Sequence, residues 1–178
     1  MTNSLRTKKN NFLSGHCAWV LLTAAGTAAA APAEPIDPSR DYHSYSNPKE
    51  LMVEHLDLAV EVNFTDRILD GVVDLKVRRV DPAARKLILD TRDLAIRDVA
   101  LVNPKGRDMD LRFTLGAADP VLGSPLEISL PQALDEYTED GAVMVRISYH
   151  TKPEASGLQW LTPQQTAGKK RPFLYTQS

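Results

Sequence analysis

Cysteine is almost absent from the sequence: Cys17 is the single one among 178 residues. A disulfide framework within the chain is therefore excluded, and so is a cluster of thiolates that would bind zinc or an iron–sulfur centre. With 43% hydrophobic residues, the chain still has enough apolar side chains to form a globular core. The stability of the fold must therefore come from packing.

A net positive charge is also missing. The first 31 residues contain three basic and no acidic side chains, whereas residues 32–178 contain 18 basic and 23 acidic ones, for a net charge of −5. Binding to phosphate backbones or to anionic membrane surfaces depends on a net basic face. The composition therefore predicts that nucleic acid is not a partner of this protein.

Two motifs of hydrolytic sites are absent as well. The four histidines form no His-Glu-x-x-His pair, and no Gly-x-Ser-x-Gly turn exposes a serine nucleophile. His55 and Asp57 share one face of a predicted strand and would need His150 from across the sheet to bind a metal. Since catalytic zinc requires three protein ligands, we interpret them as solvated polar residues, and the acidic segment from Asp135 to Asp140 as a solvated loop. The sequence thus predicts neither a catalytic residue nor a metal ligand in this chain.

Residues 1–31 have the three-part order of a secretory signal peptide. A basic head without acids is followed by an apolar stretch over residues 18–26 and by small residues over 27–31. The apolar stretch is too short to span a bilayer, so we expect no stable membrane anchor. The sequence therefore predicts export, to the periplasm or out of the cell, after cleavage near Ala30 or Ala31.

Residues 32–48 are interpreted as a linker or as an arm laid on the surface of the domain. Four prolines fall within these seventeen residues, next to serine and asparagine. Proline fixes extended backbone, and the segment offers little apolar surface to bury.

Apolar and polar residues alternate in the segment that follows. Two alternating runs, 56–64 and 69–77, flank a turn at 65–67 and indicate a β-hairpin. Further short apolar runs, separated by proline, glycine and aspartate, lie at 86–90, 94–102, 111–115, 126–130 and 143–151. A single helical turn is the most that residues 132–138 would form. The pattern predicts an all-β sandwich of mostly antiparallel strands over residues 49–178.

The run Phe173 to Thr176 is prone to form a strand and is followed by only two residues. A domain seldom ends immediately after a strand without a cap or a polar tail. We therefore expect the chain to be part of a longer protein.

Three segments of the sequence resemble one enzyme family. Residues 155–177, which read Ala-Ser-Gly-Leu-Gln-Trp-Leu-Thr-Pro-Gln-Gln-Thr-Ala-Gly-Lys-Lys-Arg-Pro-Phe-Leu-Tyr-Thr-Gln, are similar to the end of the amino-terminal domain of gluzincin zinc aminopeptidases. The similarity is to the leukotriene hydrolase/aminopeptidase branch in particular. The opening segment 41–48 with 55–58, and the strand 69–75, resemble the same family. The resemblance covers residues 41–178.

The resemblance implies a division of tasks within a larger protein. In this family the amino-terminal domain is a saddle-like β-structure, and a catalytic domain with a zinc-binding His-Glu-x-x-His helix and a distal glutamate ligand follows it. Zinc and the general base would therefore lie beyond Ser178, in a C-terminal catalytic domain that is the partner of this segment. The amino-terminal domain ends in a strand of the pattern Phe-Leu-Tyr-Thr-Gln-x-Gln, whose glutamines reach into the substrate cleft. Gln177 corresponds to the first of them.

The function implied by the resemblance is that of a scaffold and cleft wall in an exported zinc metallo-aminopeptidase, which removes N-terminal residues from peptides. Gln177 is the expected substrate-binding residue, and this segment alone is expected to be inactive. A function of another class stays open: a stand-alone secreted β-sandwich that binds a peptide or glycan through Tyr42, Tyr45 and Trp160. We favour Trp160 as a packing residue at the interface with the next domain.

Overall fold

The computed structural model describes residues 41–177. The predicted signal peptide, residues 1–31, and residues 32–40 of the predicted linker lie outside this described part. No helix within the described part has the length and apolar composition needed to cross a membrane.

Residues 41–177 fold mainly into β-strands, and their helical structure consists of single 3-10 turns at Asp135–Tyr137 and Pro163–Gln165. The strands are, in chain order, β1 (Leu51–Asn63), β2 (Ile68–Arg79), β3 (Lys86–Thr91), β4 (Leu94–Val102), β5 (Met109–Asp110), β6 (Phe113–Leu115), β7 (Ser124–Ser129), β8 (Thr138–Glu139), β9 (Ala142–Thr151), β10 (Leu158–Leu161) and β11 (Phe173–Thr176).

The strands of the described residues form three sheets. The six-stranded sheet has the order β1-β2-β9-β4-β5, with β8 paired to β9. The three-stranded sheet has the order β3-β7-β6, and β10 and β11 form a separate hairpin. The pairings between these strands are all antiparallel. The predicted all-β class with antiparallel sheets is confirmed.

The core lies between the six-stranded and the three-stranded sheet. Strand alternation directs apolar residues of β2, β4 and β9 to one side, where they meet the inward residues of β3 and β7. Six residues from the two sheets are completely or almost completely buried, with exposures of 0% or 1%: Val77, Leu87, Leu101, Leu126, Ile128 and Val145. Burying one such side chain stabilises the fold by about 1.5–3 kcal/mol, so this contact dominates the stability of the domain.

The three-stranded sheet covers only part of the apolar side of the six-stranded sheet. Leu56 of β1 lies opposite Leu75 of β2, a core residue, so the two side chains share a face. Leu56, Leu58, Val60 and Val62 continue this face along β1, and we call them the β1 strip. Leu58 is 54% exposed and Val62 is 40% exposed. The core therefore reaches β1 only near its start, at Leu51, and the β1 strip lies outside it.

Strand β1 contains one extra residue relative to β2. The register shifts between Val53 and His55, which leaves Glu54 as a bulge. The Glu54 carboxylate forms an ion pair with Arg78 of β2. Because of the bulge, Val53 and Leu56 both lie on the apolar face although they are three residues apart.

The predicted strand 111–115 is present only over its last three residues, as β6, and the short strand β5 precedes it. β5 pairs with β4 of the six-stranded sheet, whereas β6 pairs with β7 of the three-stranded sheet. Leu111 lies between them, and its N–H donates to the carbonyl of Val99 at 2.8 Å. The chain changes sheets at this point, so one continuous strand is impossible.

The described part of the predicted linker, residues 41–48, contacts the three-stranded sheet. Asp90 of β3 accepts two hydrogen bonds from it, one from Ser44 Oγ at 2.6 Å and one from the N–H of Tyr45 at 2.7 Å. The hydroxyl of Tyr45 donates to the carbonyl of Gly123 at 3.5 Å. Residues 44 and 45 therefore form an arm that lies on the domain.

Replacing Leu101 by alanine should lower the free energy of unfolding by about 2–5 kcal/mol, because the side chain is completely buried. The matched change Leu58→Ala, on the same side of the same sheet, should cost about 1 kcal/mol or less, because Leu58 is already half exposed. Urea unfolding of the purified chain, followed by circular dichroism, measures both changes. Equal losses would contradict the boundary of the core described above.

Candidate functional site

The β10–β11 hairpin positions Gln177, the residue that the sequence resemblance assigns to substrate binding. In this hairpin Leu158 lies opposite Thr176 and Trp160 opposite Leu174. Gln177 continues the ladder beyond β11, because its N–H donates to the carbonyl of Gly157 at 3.0 Å. The backbone of Gln177 is therefore fixed while its side chain is exposed.

Residues of the hairpin alternate between two faces. Phe173, Tyr175 and Gln177 face one side, and Gln159 lies opposite Tyr175 on that side. We call these four residues the outer row. All four are exposed, with Phe173 at 55% and Tyr175 at 53%. Sequence reasoning singled out Gln177 alone, although the two-residue spacing already implied that Tyr175 shares its face.

Gly157 lies opposite Gln177 and leaves the neighbouring position on the outer face without a side chain. A Cβ atom at Gly157 would approach the carbonyl oxygen of Gln177 to 3.3 Å, which is a tight contact. Any larger residue would therefore press on the backbone of Gln177 as well as fill the space beside it. The glycine keeps this end of the outer row open.

The inner face of the hairpin packs against the turn between β1 and β2. The rings of Phe64 and Trp160 meet edge to face, with centroids 5.6 Å apart and planes at 85°. The indole N–H of Trp160 is buried and has no hydrogen-bond partner among the described residues. Trp160 is thus a packing residue, as expected, but the partner seen here is Phe64 of the same domain.

Local hydrogen bonds order the connection between β10 and β11. Thr162 caps the 3-10 turn Pro163–Gln165, and its N–H donates to Oε1 of Gln165 at 2.9 Å. The hydroxyl of Thr166 donates to the carbonyl of Arg171 at 2.8 Å. These contacts bring the chain back so that β11 pairs with β10.

The aromatic residues of the alternative binding-module interpretation are held by different parts of the domain. Tyr45 lies against the three-stranded sheet through its hydrogen bond to Gly123, at 3.5 Å. Trp160 packs against Phe64 in the β1–β2 turn. Both side chains are half-buried by these contacts, which makes each of them part of the packing of the domain.

The structure separates His55 from His150, the two histidines that a metal site with Asp57 would need close together. His55 lies opposite Lys76 of β2, whereas His150 lies opposite Asp70, which is six residues farther along β2 and therefore about 20 Å away. The Nε2 atom of His55 is 3.4 Å from Oδ1 of Asp57. Within residues 41–177, no group of three or more histidine, cysteine, aspartate or glutamate side chains is placed to hold a metal ion. The structure therefore does not bring these side chains together, and the described residues do not fit a zinc site.

Two carboxylates of β2 are held in ion pairs on the polar face of the six-stranded sheet. Arg146 binds Asp74 with an Nη2 to Oδ2 distance of 2.7 Å, and Arg97 binds Asp70 with an Nη1 to Oδ2 distance of 2.5 Å. The hydrogen bond from Arg97 holds the pKa of Asp70 below its ordinary value. The lowered pKa makes Asp70 poorly suited to carry a proton in catalysis.

The acidic segment from Asp135 to Asp140 is exposed, as expected of a solvated loop. Asp135 and Glu136 begin the 3-10 turn, and Asp140 occupies the turn between β8 and β9 with a φ of 51°.

No family model matches the chain, but individual proteins are similar to it in sequence. Leukotriene A-4 hydrolase of Xenopus laevis is 41% identical over 137 residues, which are 77% of this chain and 21% of that protein. Leucine aminopeptidase 2 of Yarrowia lipolytica is 35% identical over 140 residues, which are 79% of this chain and 20% of that protein. The chain thus spans about a fifth of the length of the curated relatives it matches.

Solved structures agree with these relatives. Yeast LTA4 hydrolase in complex with bestatin superimposes with a TM-score of 0.64 and 26% identity over 82% of this chain and 21% of that chain. The native enzyme from Saccharomyces cerevisiae gives a TM-score of 0.63 at 25% identity, over 82% of this chain and 22% of that chain. The fold and these matches identify the chain as a homologue of the amino-terminal domain of gluzincin aminopeptidases. Within that class it belongs with the leukotriene hydrolase/aminopeptidase branch, as its three sequence segments predicted.

Stability should depend on pH through Asp70. Because Arg97 lowers the folded pKa of Asp70 below its ordinary value of 3.8, the ion pair stabilises the fold above that pH, and the contribution disappears as the pH falls through the folded pKa. Asp70→Asn should therefore be less stable than the wild type at pH 7, and the difference should shrink below about pH 4. Thermal unfolding at several pH values measures this. The control is Asp110→Asn, at an exposed aspartate of β5. If the stability difference between Asp70→Asn and the wild type persisted at low pH, the stabilising ion pair between Asp70 and Arg97 would be contradicted.

Proposed function

We propose that the chain is the amino-terminal scaffold and substrate-cleft segment of an exported zinc metallo-aminopeptidase, which removes N-terminal residues from peptides. The observation that carries the proposal is the position of Gln177, which continues the β10–β11 ladder and lies exposed on the outer row. The relatives named leukotriene A-4 hydrolase and leucine aminopeptidase 2 support a hydrolase of this kind.

An aminopeptidase recognises the end of a peptide by its free ammonium group. Moving this charge into a partly dry cleft is costly unless hydrogen-bond acceptors surround it. The side-chain amide oxygen of Gln177 is such an acceptor, and the hydrogen bond to Gly157, 3.0 Å long, holds its backbone in place. In this proposal Gln177 orients the peptide end, while carboxylates outside this segment carry the countercharge.

The proposal assigns zinc to a different part of the protein. When bound, the metal supplies polarisation of the scissile carbonyl and of a water molecule. Residues 41–177 provide no set of ligands for it, so we assign the metal and the general base to a catalytic domain C-terminal to this segment. The residues of this segment then bind and orient the peptide, and the segment alone is inactive.

Export is a separate part of the proposal. It rests on the basic, acid-free head and the apolar stretch of residues 1–31. The one cysteine, Cys17, lies within that leader, so the remaining chain needs no oxidative folding. Action in the periplasm or outside the cell is compatible with this composition.

In the intact enzyme, replacing Gln177 by alanine should lower kcat/KM for aminoacyl anilides by about tenfold or more, because the substrate ammonium loses a hydrogen bond to the side chain. Gln164→Ala is the matched control, since Gln164 is an exposed glutamine in the β10–β11 connection. Steady-state kinetics measure both variants, and their melting temperatures check that they fold. Wild-type kinetics for Gln177→Ala would remove this residue from the site.

Residues 32–178, purified alone, should release no N-terminal amino acid from an aminoacyl anilide and should not bind zinc in a one-to-one ratio. The reason is that the ligands and the general base are assigned to another domain. The two measurements are a chromogenic assay with added zinc and metal analysis after dialysis. Hydrolysis by this segment with one zinc ion per chain would contradict the proposed function.

A further inference from the structure

Tyr175 is the member of the outer row nearest to Gln177. Residues two apart along an extended chain face the same side and lie about 7 Å apart. That distance is about the length of two residues of an extended peptide, so the first residue of a bound peptide falls within it. A peptide whose ammonium group is held at Gln177 therefore has its first side chain within reach of the Tyr175 ring.

The side chain of Tyr175 has no aromatic or hydrogen-bonding partner that would explain its presence within the described part of the domain. Its side chain is 53% exposed and makes no hydrogen bond or aromatic contact within residues 41–177. Trp160, on the inner face of the same hairpin, is by contrast packed against Phe64. A large amphipathic side chain that is free beside a substrate-binding residue is of the type that supplies contact area in ligand sites.

The polarity of the outer face changes along the hairpin. Gln177 lies beside Gly157, and Tyr175 lies opposite Gln159. Phe173, the next member of the row, lies opposite Leu161. The face thus passes from polar and open to apolar over about 14 Å. A ligand that matches this change has a charged end followed by an apolar side chain.

We propose that Tyr175 forms part of the subsite for the side chain of the N-terminal residue of the peptide, and that it favours large apolar residues there. This inference rests on the proposed aminopeptidase function and adds a specificity-determining residue to it. Tyr175 contacts the first side chain, whereas Gln177 contacts the ammonium group. The two residues should therefore affect different properties of the reaction.

The test compares leucyl and alanyl p-nitroanilides as substrates of the intact protein. Tyr175→Ala should lower the ratio of the two kcat/KM values by about tenfold, because leucine loses apolar contact and alanine loses little. Tyr175→Phe should keep the ratio within about twofold of the wild type. Thr176→Ala is the matched control, since Thr176 is exposed on the opposite face of the same strand. Tyr175→Ser, with the same expected loss, replaces Tyr175→Ala if that variant does not fold.

The outcomes separate this inference from the function on which it rests. A leucyl-to-alanyl ratio that is unchanged in folded Tyr175→Ala or Tyr175→Ser, in an enzyme that hydrolyses both substrates, overturns the role of Tyr175 and leaves the proposed function standing. An equal loss for both substrates also overturns it. An intact wild-type protein that releases no N-terminal residue overturns the proposed function, and this inference with it.

Discussion

Burial of apolar side chains between the six-stranded and the three-stranded sheet is the interaction on which the described domain depends. No internal disulfide is available to replace it, since Cys17 is the single cysteine of the sequence. The buried residues form one cluster, in which Leu101 of β4, Ile128 of β7 and Val145 of β9 are completely enclosed. Two further parts of the domain are joined to these sheets. The arm at residues 44 and 45 binds the outer strand of the smaller sheet, and the β10–β11 hairpin follows directly from β9 at the centre of the larger one.

The candidate site takes its geometry from a second, smaller contact. The hairpin that carries Gln177 is separate from both sheets and is joined to the six-stranded sheet by the packing of Trp160 on Phe64. A site on a short hairpin is positioned only as well as that hairpin is held. The backbone hydrogen bond between Gln177 and Gly157 extends the ladder by one pair and fixes the last residue of the row. The positions of the Gln177 and Tyr175 side chains therefore depend on contacts outside the main core. These contacts include the Phe64–Trp160 ring pair and the hydrogen bond from Gln177 to Gly157.

Much of this fold follows from the spacing of apolar residues, and the limits of that inference have physical causes. The alternation of apolar and polar residues from Leu56 onward predicted β1 and β2. It did not predict that the β1 strip is exposed, because alternation shows which residues share a face but not whether another element packs on that face. The split between β5 and β6 at Leu111 was missed, since a chain that passes from one sheet to another keeps its apolar pattern. Gln177 was named as a candidate by resemblance to a family. Strand spacing already placed Tyr175 on the same face, but that its side chain makes no hydrogen bond or aromatic contact within residues 41–177 is seen only in the structure. Spacing likewise does not give position along a sheet, so the separation of His55 from His150 could not be predicted.

The bulge at Glu54 explains why the apolar residues of β1 change from odd-numbered to even-numbered positions. The apolar positions of β1 are odd before it, at Leu51 and Val53, and even after it, from Leu56 to Val62. One added residue is therefore what allows both halves of the strand to present their apolar side chains to the same side of the sheet. The strand is consequently far more tolerant of substitution than of a change in length. Loss of a single codon at this point would turn the polar residues of one half of β1 to the apolar side of the sheet.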